Sequence, residues 1–292
     1  MSKTYGQSTK ESYRDDIEIS RKHKTIYKIF EWLDDHSYCN TNEMGIYIYK
    51  EDDEIFIFNR IYDFKNKKNI HVFYLTSGLR RESIKFKNNY REKESLNVLL
   101  KLGLLKKNIN FIGSKLSINV NELYLSLDKV FNEIQKKIKS IKGSKIIITH
   151  SLEGGHEDHD ASYYISKKIF YNNKIEKAFQ FSAYNGKNLP FTFFRVLSPI
   201  SNNGKKIKYY YNLKSRFIFV FLLFFYPSQF KIWIGLYPFL VYKYMFDKYY
   251  EMQLLPKNNF QKKPHKGELL YEKRGYCNYK SFSKKTKIFL KK

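Results

Sequence analysis

The chain has 292 residues, 42% of them hydrophobic and 18% aromatic, which is ample for a large buried core. Lys+Arg 54 against Asp+Glu 28 gives a formal net charge of +26 and favours anionic partners, yet no recognition-helix pattern, RNP-type motif or zinc-finger spacing accompanies it, so nucleic acid is not expected. The two cysteines, Cys39 and Cys277, are far apart, which excludes a disulfide framework and a CxxC metal site and fits a reducing compartment.

The opening MSKTYGQSTKESYRDD is polar and lacks the apolar segment of a secretory signal, so a cytoplasmic location is expected. In an N-terminal extension over residues 1–40, Ile17, Ile19, Ile26, Ile29, Phe30 and Leu33 recur at helical spacing and predict an amphipathic helix over Ile17–Asp35. A core over residues 41–200 begins with a strand at Met44–Tyr49 and a helix at Asp53–Phe64. A second strand at Ile70–Leu75 runs into a Thr76–Gly78 turn, and a helix over Tyr90–Leu102 stops at Gly103. Then come a strand at Ile109–Ile112, a long helix over Val120–Ile141, a strand at Lys145–Thr149 and a helix from about Asp158 to Tyr171. Strand alternating with helix is the signature of an α/β fold: a Rossmann-like, mostly parallel sheet with helices on both faces.

Residues 201–292 read as a helical and irregular cap packed on that core, with loops at Ser201–Lys206 and Pro256–Gly267. The apolar run Phe217–Tyr242 is interrupted at Pro227, Ser228, Gln229 and Lys231. Its unbroken part is about half of the roughly 20 residues a membrane span needs, so it predicts a buried or interfacial helix pair. The basic C-terminus beside it leaves peripheral membrane contact open.

Ligands of such sheets sit outside the carboxyl ends of the strands. Two segments occupy that position: Lys50-Glu51-Asp52-Asp53-Glu54 after the first strand, and Thr149–Asp160 (THSLEGGHEDHD) after the strand KIIIT. Taken separately, each has an ordinary structural reading, the first as an acidic helix start and the second as a surface loop with incidental histidines. In the second segment Gly154 and Gly155 let the backbone approach a site closely. His156 and His159, three residues apart with Asp158 between them, suit one metal ligand and one proton donor or oxyanion partner.

These segments resemble the PIG-L/LmbE-like family of zinc-dependent N-deacetylases. The residues that carry the resemblance are KEDDE (Lys50–Glu54), LTSG (Leu75–Gly78), REKESLNVLLKLG with Arg91 and Glu94, and above all THSLEGGHEDHDA, from about Gly45 to at least Phe170. YPSQ (Tyr226–Gln229) and PHKGELLYEKRGY (Pro264–Tyr276) are similar to later family segments. The resemblance implies a hydrolase that removes acetyl groups from amino sugars, nucleotide- or lipid-linked ones being suited to a basic surface. It implies Asp52 as general base, Asp53 and His159 as ligands of zinc or another divalent ion, and Arg91 as a sugar contact. It further implies that His156, with Asp158 beside it, steadies the intermediate or protonates the leaving group.

The chain departs from the family pattern where the first zinc ligand, a histidine, is replaced by Lys50, with Glu51 in place of proline. An ammonium has no acceptor, and at about 4 Å and an effective dielectric of ~20 it repels a +2 ion by roughly 8 kcal/mol. Lys50 is therefore neutral, or turned away, or paired with Asp53 in the cation's place. The last case implies a catalytically impaired relative that binds a glycan or a partner protein. His150, at the end of the KIIIT strand, is a possible substitute ligand, although a buried hydrogen-bonding role behind the ligands is the favoured reading.

Overall fold

The structure, a computed structural model, describes residues 44–50, 53–64, 66–79, 90–173, 175–256 and 263–292. The expected helix over Ile17–Asp35, Cys39, Glu51 and Asp52 lie outside the described residues.

Seven strands form one sheet in the order β3-β2-β1-β4-β5-β9-β8. They are β1 (Met44–Tyr49), β2 (Ile70–Tyr74), β3 (Ile109–Phe111), β4 (Lys145–His150), β5 (Lys177–Phe181), β8 (Lys206–Tyr210) and β9 (Tyr249–Leu254), while β6 (Tyr184–Asn185) and β7 (Arg195–Val196) pair separately. The pairs from β3 across to β5 are parallel, and β9 and β8 are added antiparallel. The helices are α1 (Phe58–Tyr62), α2 (Tyr90–Lys101), α3 (Ile112–Lys115), α4 (Leu127–Ser140), α5 (Glu157–Asn172), α6 (Leu213–Leu223), α7 (Phe230–Phe246), α8 (Leu270–Lys273) and α9 (Tyr279–Lys291). The α/β class and the mostly parallel sheet expected from the sequence are therefore what the chain adopts.

Alternation along β1 divides the core between the two faces of the sheet. Ile46 and Ile48 join Val130, Ile134, Ile165 and Phe282 in one cluster, supplied by α4, α5 and α9. Tyr47 and Tyr49 point the other way: the Tyr47 hydroxyl donates to the Arg60 carbonyl of α1 at 3.3 Å, and Tyr49 packs edge-on against Tyr74. Both faces are covered, which explains why these strands read as near-continuous apolar runs.

Three local expectations are corrected. Val120–Ile141 is not one helix but a loop and a short 3-10 turn at Leu123–Leu125 followed by α4, because the Asp158 carboxylate accepts the backbone N–H groups of Asn121 (2.7 Å) and Leu123 (3.1 Å) before the helix begins. Asp53–Phe64 divides into a 3-10 turn at Asp53–Phe56 and α1. Past residue 200, where helices and irregular chain were expected, β8 and β9 extend the sheet; β8 alternates between exposed and half-buried positions, as an edge strand does.

The C-terminal helix completes the first face. Phe282 is fully buried against Tyr124, Tyr164 and Tyr271. Phe282→Ala is expected to cost about 3–5 kcal/mol of unfolding free energy. Urea denaturation at constant m-value measures it, and a loss below about 1 kcal/mol would mean that α9 is dispensable to the core.

Candidate metal centre

The strand order reverses between β1 and β4, the place where such sheets open a crevice at their carboxyl ends. The two segments singled out from sequence flank it. Lys50 directly follows β1, Asp53 opens the next turn, His150 closes β4, His156 is the N-cap of α5 and His159 lies in its first turn. Since Ile48 pairs with Thr149, the exits of β1 and β4 are side by side.

Asp53 Oδ2 lies 3.0 Å from His150 Nε2 and 3.4 Å from His159 Nε2. The two imidazoles are parallel, with centroids 4.0 Å apart. One donor atom from each of these three buried residues lies within 4.8 Å of the others. The outward nitrogen, Nδ1, of both rings is buried with no hydrogen-bond partner. One carboxylate oxygen and two imidazole nitrogens converging on a point suit a divalent metal such as zinc, so the residues present fit the ion that the family resemblance implies.

Electrostatics favours the ligating forms. Burial works to raise the Asp53 carboxyl, but the facing His159 and His150 outweigh it and hold the group well below the usual carboxylate range. Burial, together with His150 and Lys50 alongside, pushes His159 down to about 3, so its ring is neutral at pH 7 and keeps a lone pair.

Lys50 does not take the position of a ligand: its Nζ lies 3.3 Å from His156 Nε2. His156 is itself depressed well below the ordinary histidine value, first by burial and then by Lys50 and His159. Two proton arrangements are available to this pair. If the Lys50 ammonium donates to Nε2, the proton of His156 is on Nδ1, with Glu157 Oε2 at 3.4 Å and Asp158 Oδ2 at 3.9 Å. If Nδ1 instead accepts the Asp158 N–H at 3.1 Å, Nε2 carries the proton and faces a neutral amine.

The loop that carries His156 is held by two carboxylates to which the sequence reading gave no role. Asp160 accepts the N–H groups of Glu153 (3.0 Å) and Gly154 (3.1 Å). Glu153, fully buried, accepts from Ser182 Oγ and from the Ala183 and Tyr184 amides at 2.8 and 3.1 Å. The glycine pair makes this close crossing possible. Gly154 has φ +70°, and a Cβ on Gly155 would stand 1.8 Å from the Tyr184 carbonyl oxygen. Asp158 belongs to the same scaffold, since its carboxylate is bound to the 121–123 backbone. A signal for Glu153 was visible, as it directly precedes Gly-Gly; Tyr184 had none.

Lys50, Asp53, Arg91 and His159 line one pocket of about 80 Å³ with Tyr184, and its far wall is apolar: Leu223 of α6, then Leu236, Tyr237 and Leu240 of α7. The scattered family-like segments meet around it. Ser228 donates from its amide (2.9 Å) and hydroxyl to Glu94, Tyr226 donates to the buried Glu54 at 2.6 Å, and the Leu270 amide binds the Gly154 carbonyl at 2.9 Å. Thus Lys50, Asp53, Arg91, His150, His156 and His159 are gathered at one end of the sheet.

Residues 51–170 match the family model described as PIG-L: GlcNAc-PI de-N-acetylase. No curated protein and no solved structure matches the chain.

The buried Glu153 has a consequence for stability. Burial, opposed by its hydrogen bonds, raises its pKa to about 8 from the ordinary 4.5. The native state therefore binds a proton that the unfolded chain releases. Stability from this group is full below about pH 4.5 and is lost as pH rises through about 8. Glu153→Gln, which mimics the protonated form, is expected to flatten the fall in Tm between pH 5.5 and 8.5 when the two proteins are melted in parallel. Equal slopes would show that Glu153 does not titrate in that interval.

Proposed function

We propose that this chain, a PIG-L/LmbE-like family member by its residues 51–170, is a metal-dependent amide hydrolase that removes the acetyl group from an N-acetylated amino sugar. The observation that carries the reading is the convergence of Asp53, His150 and His159, of which Asp53 and His159 line a pocket together with Lys50 and Arg91. These three residues would hold the ion, and His150 takes the third ligand role in place of Lys50, ahead of the hydrogen-bonding role favoured from sequence. A divalent ion bound there lowers the pKa of water and polarises a carbonyl.

The remaining roles fall to the chain's own side chains. Asp52, adjacent to Asp53, takes the proton from the attacking water by the family resemblance. Burial and then Lys50 hold His156 well below the ordinary histidine value, so its ring rests neutral and delivers a proton to the departing amine only after taking up the one that Asp52 removes from the water. The Lys50 ammonium beside His156 Nε2 adds positive charge where the carbonyl oxygen becomes negative. Arg91 offers a forked donor to sugar hydroxyls or to a phosphate on the substrate. In balance, the amide C–N bond breaks, a C–O bond to the water oxygen forms, and acetate leaves with the free amino sugar. Asp158 acts by positioning, through the 121–123 backbone and the first turn of α5.

A second reading rests on a specific observation, the lysine at the first-ligand position 3.3 Å from His156. It is a catalytically impaired relative that keeps the pocket to bind a glycan. Two measurements separate the readings. Zinc titration of the purified protein with acetate release from a panel of N-acetylated amino sugars is expected to show one bound metal and turnover, and His150→Ala is expected to weaken metal binding by more than the roughly 10–100-fold that loss of a residue merely supporting a ligand causes. No metal in any buffer and no acetate from any sugar would sink the hydrolase reading. Lys50→His is expected to change metal affinity and rate only modestly in an active enzyme, whereas a large gain of both from a silent parent would identify a decayed site.

A further inference from the structure

The helical pair α6–α7 is apolar on two sides, and the pocket accounts for only one of them. Facing inward are Ile218, Phe219 and Leu222 of α6, with Leu236, Leu240 and Tyr244 of α7 at intervals of four. A second stripe faces outward: Leu213, Phe217 and Phe221 on α6 with Phe224 just past its end, then Phe239, Tyr242 and Phe246 on α7. Leu213 is 71% exposed, Phe217 61%, Ile234 75% and Phe246 70%. Such a patch, continuous over two helices, marks an interaction surface rather than the scattered exposed side chains that any protein carries.

Charge selects the occupant. Residues 213–246 contain no Asp or Glu and four basic residues, Lys214, Arg216, Lys231 and Lys243, the last of which pairs with Asp247 at 3.0 Å just beyond them, in a chain of net charge +26. Two such copies repel one another, whereas an anionic surface attracts them. Aromatic side chains flanked by lysines, with no acid between, are the composition of helices that lie in a headgroup layer. Neither helix is long and apolar enough to cross a membrane, which leaves the in-plane arrangement.

We propose that the outer face of α6–α7 docks on an anionic lipid bilayer, with the phenylalanine stripe at the acyl boundary and the exposed Lys214 at the headgroups. The inner face of the same helices walls the candidate pocket, so docking places that pocket beside the lipid surface, where an amphiphilic substrate would be met. The docking itself goes beyond the hydrolase reading and does not rest on it.

The test is co-sedimentation of the full chain with vesicles of phosphatidylcholine containing phosphatidylglycerol, compared with phosphatidylcholine alone, at low salt and high salt. Wild type is expected to prefer the anionic vesicles and to be weakened, but not fully released, by salt. The combined variant Phe217→Glu/Ile234→Glu/Phe246→Glu, outside the pocket lining, is expected to lose about tenfold or more in partitioning. Leu213→Glu/Phe246→Glu, confined to one end of the pair, is expected to show a smaller loss, and thermal melts of both variants exclude unfolding as the cause. Wild type that stays in the supernatant with anionic vesicles overturns the proposal, as does a folded glutamate variant that binds like wild type. A solution dimer that the glutamates dissociate, without vesicle binding, would assign the face to a second copy instead. Vesicle binding needs neither metal nor turnover, so this result and that of the acetate assay are read independently.

Discussion

Asp53 is a carboxylate held almost out of water, and its charge is tolerable there only because two imidazoles meet the same oxygen. Removing an ion from water costs several kcal/mol unless partners replace the solvent, so a chain that buries this group must also deliver His150 and His159 to it. Those residues come from the end of β4 and the first turn of α5, and Asp53 from the turn after β1. The parallel pairing of β1 with β4, the reversal of strand order between them and the start of α5 are therefore coupled through one carboxylate. The same three donor atoms would hold a divalent ion, so a constraint on folding and the proposed chemistry share one point.

Around this centre, polar groups are spent on holding backbone. Glu153, Asp158 and Asp160 are all buried acids whose oxygens accept main-chain N–H groups. They fix the loop before α5, and the glycine pair allows that loop to press against Tyr184. The cost is desolvation of three carboxyl groups in one small region, which is why Glu153 is pushed to about 8 and Asp160 to about 7. Positioning is thus achieved by rigid hydrogen bonding behind the site rather than by the metal-type ligands themselves, an arrangement that leaves Asp53, His150 and His159 free to face one another.

The apolar side of the pocket has a different origin. Its wall is formed by α6 and α7, which follow the edge strand β8 and lead into β9, far in sequence from the histidines. Their two-sided hydrophobicity reconciles the burial of Leu222 and Leu240 with the exposure of Phe217 and Phe246 on the same helices. Period and mean hydropathy alone do not separate a core helix from an interfacial one; the neighbours do.

Much of the architecture was legible in the amino-acid sequence. Strands β1, β2, β3 and β4 and the start of α5 fall within a residue or two of where apolar runs and helical periodicity place them, because each is a short, locally consistent segment. The His-x-x-His spacing and the paired aspartates marked the right end of the sheet, since ligands of such sheets gather there. Other features were decided by the tertiary structure alone. His150 stacks on His159 because β4 ends beside β1, a fact of strand order that no local pattern contains. Lys50 turns to His156 because α5 brings that ring to it across 106 residues of chain. Strand β9 joins the sheet by antiparallel pairing to β5 and β8 by pairing to β9, over long separations, and the helix expected over Val120–Ile141 is broken by a carboxylate that arrives from α5. Local periodicity specifies which elements form; side-chain partners distant in sequence specify where they stop and which donor atoms meet.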